Sequence, residues 1–163
     1  MLNEDWLLGY IVIFIFLICP FLVVIASIID NNIVRGKINN LFDDATELTP
    51  NEFVALRRKL LSRRNNNSSG NTIAGVYVLY NKTKNMYYVG QSVDIIQRIN
   101  NHFTGHGNGD VYADYKYGDK FTIKMIKFEN SGFKTLNELE RKTIYTYNAF
   151  SKGYNKTRGN SDR

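Results

Sequence analysis

Leu7 to Ile29 is a run of 23 residues without a formally charged side chain. As an α-helix such a run spans about 34 Å, enough to cross a hydrocarbon core of roughly 30 Å. Trp6 and Tyr10 lie near one end, where amphipathic rings favour the headgroup zone. Pro20 sits inside the run. It would cost a soluble helix about 3 kcal/mol, but membrane helices tolerate it. A cleaved signal peptide wants a basic start and a shorter apolar core, whereas this start carries Glu4 and Asp5. A buried core helix also wants a shorter run. The run therefore predicts a single-pass membrane anchor over residues 1–30, with the lipid bilayer as its partner through Leu7–Ile29. Arg35 and Lys37 follow the run and nothing basic precedes it. The positive-inside rule then places everything after Asp30 in the cytoplasm.

Charge is distributed unevenly behind this anchor. The whole chain is at +6, but residues 1–30 stand at −3, residues 31–73 at +3 and residues 74–163 at +6. A basic C-terminal half favours an anionic partner, nucleic acid or an acidic lipid surface. The single cysteine, Cys19, lies in the apolar run. A disulfide framework within the chain and a cysteine-rich zinc site are both excluded.

Residues 31–71 read as a helical connector and linker. Thr49-Pro50-Asn51-Glu52 is a helix start, with Thr at the cap, Pro at the first helical position and Glu three after the cap. Phe53, Leu56 and Leu60 recur at helical spacing to about Arg64, and Ile38, Leu41 and Phe42 suggest a shorter helix before them. Leu48 to Leu61 resembles the second half of a SHOCT module, a short two-helix appendage. Arg57, Arg58, Lys59, Arg63 and Arg64 make the second helix basic. It suits a solvated spacer, or contact with anionic headgroups or DNA backbone. The Asn/Ser-rich stretch 65–71 reads as a flexible linker and a domain boundary.

The third segment, 72–163, has an α/β pattern. Ala74 to Tyr80 and Met86 to Gly90 are β-branched and aromatic runs separated by a polar turn, a β-hairpin. Ser92 or Asp94 can cap a helix to about Phe103, with Ile95, Ile96, Ile99 and Phe103 inward. Arg98 and His102 are four apart and share one edge of it. Thr104 to Gly109 reads as a mobile loop that could meet DNA, and 110–117 as a short helix. Phe121 to Phe128 alternates apolar and polar residues, a half-buried strand. Thr135 to Glu138 is a second capping box, starting a helix expected to reach about Phe150. The expected domain is a small three-stranded, mainly antiparallel sheet flanked by helices, preceded by the helical connector and the transmembrane helix.

Gly75-Val76-Tyr77 and Tyr88-Val89-Gly90 are separated by ten residues, Arg98 lies eight after Gly90, His102 four further on, and Glu140 and Gly153-Tyr154-Asn155 follow. This constellation resembles the GIY-YIG nucleases, a family that cuts phosphodiester bonds in DNA. Both tripeptides carry Val where the family name has Ile. The resemblance implies a catalytic set of Tyr77, Tyr88, Arg98, His102, Glu140 and Asn155, with Glu140 holding Mg²⁺ or Mn²⁺ and DNA as the partner.

The residue types suit that chemistry on their own terms. One carboxylate can hold a hard Mg²⁺ ion whose other positions go to water and phosphate oxygens. A planar, permanent guanidinium such as Arg98 suits non-bridging phosphate oxygens. Tyr77 is the implied acceptor of the water's proton, with His102 assisting. An ordinary tyrosine pKa near 10 is high for that task, so a nearby cation would have to lower it. Tyr88 would position phosphate or water, and Asn155 would brace the site. The reading is a membrane-anchored, metal-dependent DNA endonuclease. Its alternative is the same fold as a catalytically inactive, membrane-tethered DNA-binding module. No helix-turn-helix or zinc finger accompanies the domain, so weakly specific or structure-selective cutting is expected.

Overall fold

The structure is a computed structural model, and it describes residues 9–10, 12–66 and 72–161. Trp6, Leu7, Leu8 and Ile11 of the expected anchor, and residues 67–71 of the expected linker, lie outside the described residues. Packing divides the chain into two units, Met1–Lys37 and Ile38–Arg163.

The first unit is helical. A π-helical turn, Phe14–Ile18, leads into helix α1, Cys19–Asp43. The wide turn has a cause in Pro20. Proline brings no N–H to the carbonyl four residues back, and its ring crowds that carbonyl. The Cys19 N–H bonds instead to the Phe14 carbonyl, five back, and the turn opens to pass the ring. From Phe14 to Asp43 the helix is 30 residues long, its most apolar window has a mean hydropathy of 2.3, and none of that window is buried. It is long and apolar enough to span a membrane. The short helix expected around Ile38 to Phe42 is the end of α1, which runs unbroken from the apolar stretch.

The second unit is built on three antiparallel strands: β1 (Gly75–Asn81), β2 (Met86–Ser92) and β3 (Phe121–Lys127), in the order β2-β1-β3. The hairpin register sets Tyr77 opposite Gly90 and Leu79 opposite Tyr88. Its turn is closed by Asn81, whose side-chain oxygen accepts from the N–H groups of Thr83 and Lys84. Strand β1 is central and is buried on both faces. Tyr77 and Leu79 join one core with Phe53, Ile95, Ile96, Ile99, Val111 and Ile123. Val76 and Val78, of opposite parity, point to the other face. The end of the last helix, Leu136–Thr146, lies on that face, where the Tyr147 ring stands 5.0 Å from Tyr87 and takes an edge contact with Phe42 at 5.6 Å.

The flanking helices follow their caps. Helix α2, Pro50–Asn66, begins at the predicted box, with the Thr49 N–H 2.7 Å from Glu52 Oε2 and the Glu52 N–H 3.3 Å from Thr49 Oγ1. Helix α3, Ile95–Phe103, is capped by Asp94, and helix α4, Gly109–Lys116, by Asn108. Helix α5, Leu136–Thr146, is capped by Thr135. It stops at Thr146 rather than near Phe150, because the chain leaves helical space at Asn148, which has a φ of 52°. Asparagine tolerates that left-handed geometry better than most residues.

The segment before the strands is packed, not suspended. Ile38, Phe42 and Phe53 are all essentially inaccessible to solvent. Leu48 pairs with Ile123 through two backbone bonds of 2.9 and 2.8 Å, a one-residue extension on the free edge of β3. Residues 38–60 therefore belong to the second unit, and the basic helix is docked on it through Phe53 and Leu60.

Candidate active site

The two tyrosines of the hairpin meet on the α3 side of the sheet. Tyr77 is fully buried and Tyr88 only partly so. Their ring centroids are 6.2 Å apart, and both rings face His102, at 5.7 Å from Tyr77 and 4.6 Å from Tyr88. Gly90 makes this possible. A Cβ there would fall 2.3 Å from the Tyr77 hydroxyl, so only glycine leaves room for the phenol opposite it.

His102 is completely enclosed, and both of its ring nitrogens are engaged. The backbone N–H of Asn108 donates to Nδ1 at 2.9 Å, while Nε2 lies 2.8 Å from the Tyr77 hydroxyl oxygen. An amide N–H has only a proton to give, so Nδ1 must present its lone pair. The neutral ring then carries its proton on Nε2 and donates it to Tyr77. Burial, reinforced by the Arg98 charge, lowers the His102 pKa to about 4, so the ring is neutral at physiological pH. Histidine is thus a donor toward Tyr77.

Arg98 is exposed on the edge of α3, and its charge acts on both phenols. It does not bring either phenol's pKa below the ordinary value. Burial dominates for Tyr77, with the Tyr88 charge adding to it, and the pKa stands well above 10. Burial also raises Tyr88, against the Arg98 charge. The expected lowering by a neighbouring cation is therefore outweighed by desolvation.

Glu140 arrives from the other layer. It sits in the first half of α5, nearly buried, and its Oε2 accepts from Gln91 Nε2 at 2.9 Å and from the Asn160 N–H at 3.4 Å. Gln91 also donates to Asn137 Oδ1 at 2.6 Å, which ties the first turn of α5 to β2. Burial raises the Glu140 pKa against those hydrogen bonds. β2 is an edge strand, and the Glu140 charge acts on the Tyr88 phenol together with that of Arg98.

Asn155 grips the strand itself. Its side chain accepts from the Val89 N–H at 2.9 Å and donates to the Val89 carbonyl at 2.8 Å, and the Tyr154 N–H bonds the Tyr87 carbonyl at 2.9 Å. The closing Gly153-Tyr154-Asn155 segment thereby covers the outer edge of β2, which would otherwise present unpaired backbone groups. Asn155 positions Tyr88 through its neighbour and does not point at a reacting group.

Two contributors carried weak sequence signals. Gln91 anchors the carboxylate, but it is a bare polar residue in a strand. Asn108 fixes the histidine tautomer, caps α4 and donates to the Tyr154 carbonyl at 3.3 Å. An Asn directly before Gly109-Asp110 is a legible helix cap. The loop Thr104 to Gly109 is held at this end against His102.

The donor set fits a hard divalent ion. Among the described residues no three His, Cys, Asp or Glu side chains converge, and Glu140 is the residue that would hold such an ion. Gln91 Nε2 and the Asn160 N–H, both neutral donors, fall on one of its oxygens, and a cation there would take water and phosphate oxygens elsewhere.

A family model described as the GIY-YIG catalytic domain matches residues 73–155. No curated protein and no solved structure matches the chain.

Proposed function

The chain belongs to the GIY-YIG family, and from that premise we propose that it is a membrane-anchored DNA endonuclease that hydrolyses phosphodiester bonds at the β2 edge. The observation that carries the reading is the Tyr88 phenol, which senses the Arg98 guanidinium and the Glu140 carboxylate at once. In this reading Arg98 is the anion clamp, Glu140 the cation ligand and Tyr88 a proton-handling hydroxyl.

Arg98 holds non-bridging oxygens of the scissile phosphate and stabilises the charge that grows on them. A Mg²⁺ or Mn²⁺ ion bound by Glu140 would neutralise charge on the phosphate and on the leaving 3′ oxygen. Tyr88, the more exposed phenol, stands nearest the attacking water, and Tyr77 lies behind it. The two hydroxyls handle the water's proton as a coupled pair. His102, donating from Nε2, stabilises the ionised form of Tyr77, the form that accepts the water's proton and is neutral once the proton has moved. Asn155 and Asn108 hold the strand and the imidazole still.

The apolar helix Phe14–Asp43 anchors the enzyme. Arg35 and Lys37 place the nuclease unit on the cytoplasmic side by the positive-inside rule. The full chain in detergent micelles, incubated with supercoiled plasmid and Mg²⁺ or Mn²⁺, should nick it, and Arg98→Ala should not. Absence of nicking by the wild type, or equal nicking by Arg98→Ala, would leave the tethered, inactive DNA-binding module as the better account.

A further inference from the structure

Helix α2 lies outside the residues matched by the family, yet it is bolted to the catalytic unit. Phe53 is buried in the same core as Tyr77 and Ile99, and Leu60 packs against that core. One turn after Phe53, Arg57 is half-buried and its Nη2 donates to Gln97 Oε1 at 3.3 Å. Its Nε is covered and has no hydrogen-bond partner among the described residues. Gln97 is the residue before Arg98 and also donates to Asn101 at 3.0 Å. The solvent edge of α3 therefore runs from the site guanidinium, across Gln97 and Asn101, to a second guanidinium on α2.

The charge along this path has one sign. After Glu52, α2 carries no acid, and α3 carries none at all. Glu52 itself is engaged with Thr49, and Asp94 with the cap of α3. Arg58 follows Arg57 about 100° further round the helix and is exposed. Lys59 and Arg63 project from the side away from Arg57, at about 200° and 240°.

We infer that Arg57 and Arg58 form a backbone-binding track for duplex DNA, continuous with Arg98, that holds phosphates beyond the scissile one. The inference rests on the nuclease reading and deepens it. A track of permanent guanidiniums matches a regular row of phosphates, with Arg57 held in place by packing. An anionic membrane surface would offer phosphates too. A helix that lies on lipid inserts a broad apolar face, however, whereas α2 packs Phe53 and Leu60 onto the core and leaves only Val54 and Leu61 as large apolar side chains in the open.

The test uses the full chain in micelles, a labelled DNA duplex and no divalent ion. Binding is measured between about 0.05 and 0.2 M salt. Arg57→Gln/Arg58→Gln should lower the slope of log affinity against log salt by about two, so that the wild type loses roughly twelvefold more affinity over that range. Arg58→Gln alone, which removes no packed group, should lower the slope by about one. Lys59→Gln/Arg63→Gln removes the same charge from the other side and should leave the slope near wild type. Equal slopes for wild type and Arg58→Gln, with plasmid nicking intact, would overturn the track and leave the nuclease standing. Equal losses in both double variants would reduce the effect to net charge and overturn it too. Loss of binding to phosphatidylserine vesicles without loss of DNA binding would overturn it in favour of a lipid surface. A wild type that neither binds nor cuts DNA would remove the nuclease reading itself.

Discussion

The Tyr77 hydroxyl oxygen lies 2.8 Å from His102 Nε2, and the proton between them belongs to the histidine. The Asn108 N–H on Nδ1 fixes that direction. A buried neutral imidazole of this kind has consequences for both stability and rate.

Stability should fall in mild acid. The His102 pKa is depressed to about 4 in the folded protein, against roughly 6.5 in the unfolded chain. The unfolded state therefore binds more protons between those values. The contribution is complete above about pH 6.5 and is lost as pH falls toward 4, a change on the order of 3 kcal/mol. Glu140, with its raised pKa, pulls the opposite way in part of this window. Thermal melts from pH 7.5 to 4.5 should therefore be compared between wild type and His102→Gln. The variant should start less stable and show the shallower acid slope. Parallel slopes would show that His102 is not the group being protonated.

Cleavage should accelerate with alkalinity and reach no plateau near neutrality. Both phenols ionise above the ordinary tyrosine range, Tyr77 far above it. The basic form then grows about tenfold per pH unit across pH 6–9. Single-turnover rates should follow that slope, and no inflection near 6.5 should appear, because His102 does not titrate there. A bell centred near pH 7 would mean that the imidazole is the working base.

Removing Glu140 should separate chemistry from binding. Glu140→Ala should lower the cleavage rate by at least roughly a hundredfold, with DNA affinity in metal-free buffer little changed. Isothermal titration with Mn²⁺ should lose its high-affinity event in the same variant. Retained Mn²⁺ binding would place the ion elsewhere.

Gly90→Ala tests the packing of the tyrosine pair. The new methyl would stand 2.3 Å from the Tyr77 hydroxyl, and the ring opposite is locked by burial. Overpacking of this kind costs about 1–3 kcal/mol or more. Chemical denaturation should show that loss, and Gly90→Ala/Tyr77→Phe should recover part of it by removing the clashing oxygen. A neutral Gly90→Ala would mean that the strand relaxes freely at this point.

The local chemistry of the chain was written in its sequence. The 23-residue uncharged run, the Thr49 and Thr135 caps and the alternating strands are set by side-chain geometry within a few residues. The spacing of the two tripeptides likewise fixed which side chains the hairpin presents, because parity along a strand decides the face. Packing decided the rest. That Glu140 meets Gln91 on an edge strand depends on strand order. That Arg57 docks beside Arg98 depends on Phe53 finding the sheet core. The direction of the Tyr77–His102 hydrogen bond depends on one backbone N–H from a loop six residues along the chain. Long-range contacts of this kind arise from the burial of apolar surface between elements distant in sequence, and no local pattern encodes their partners.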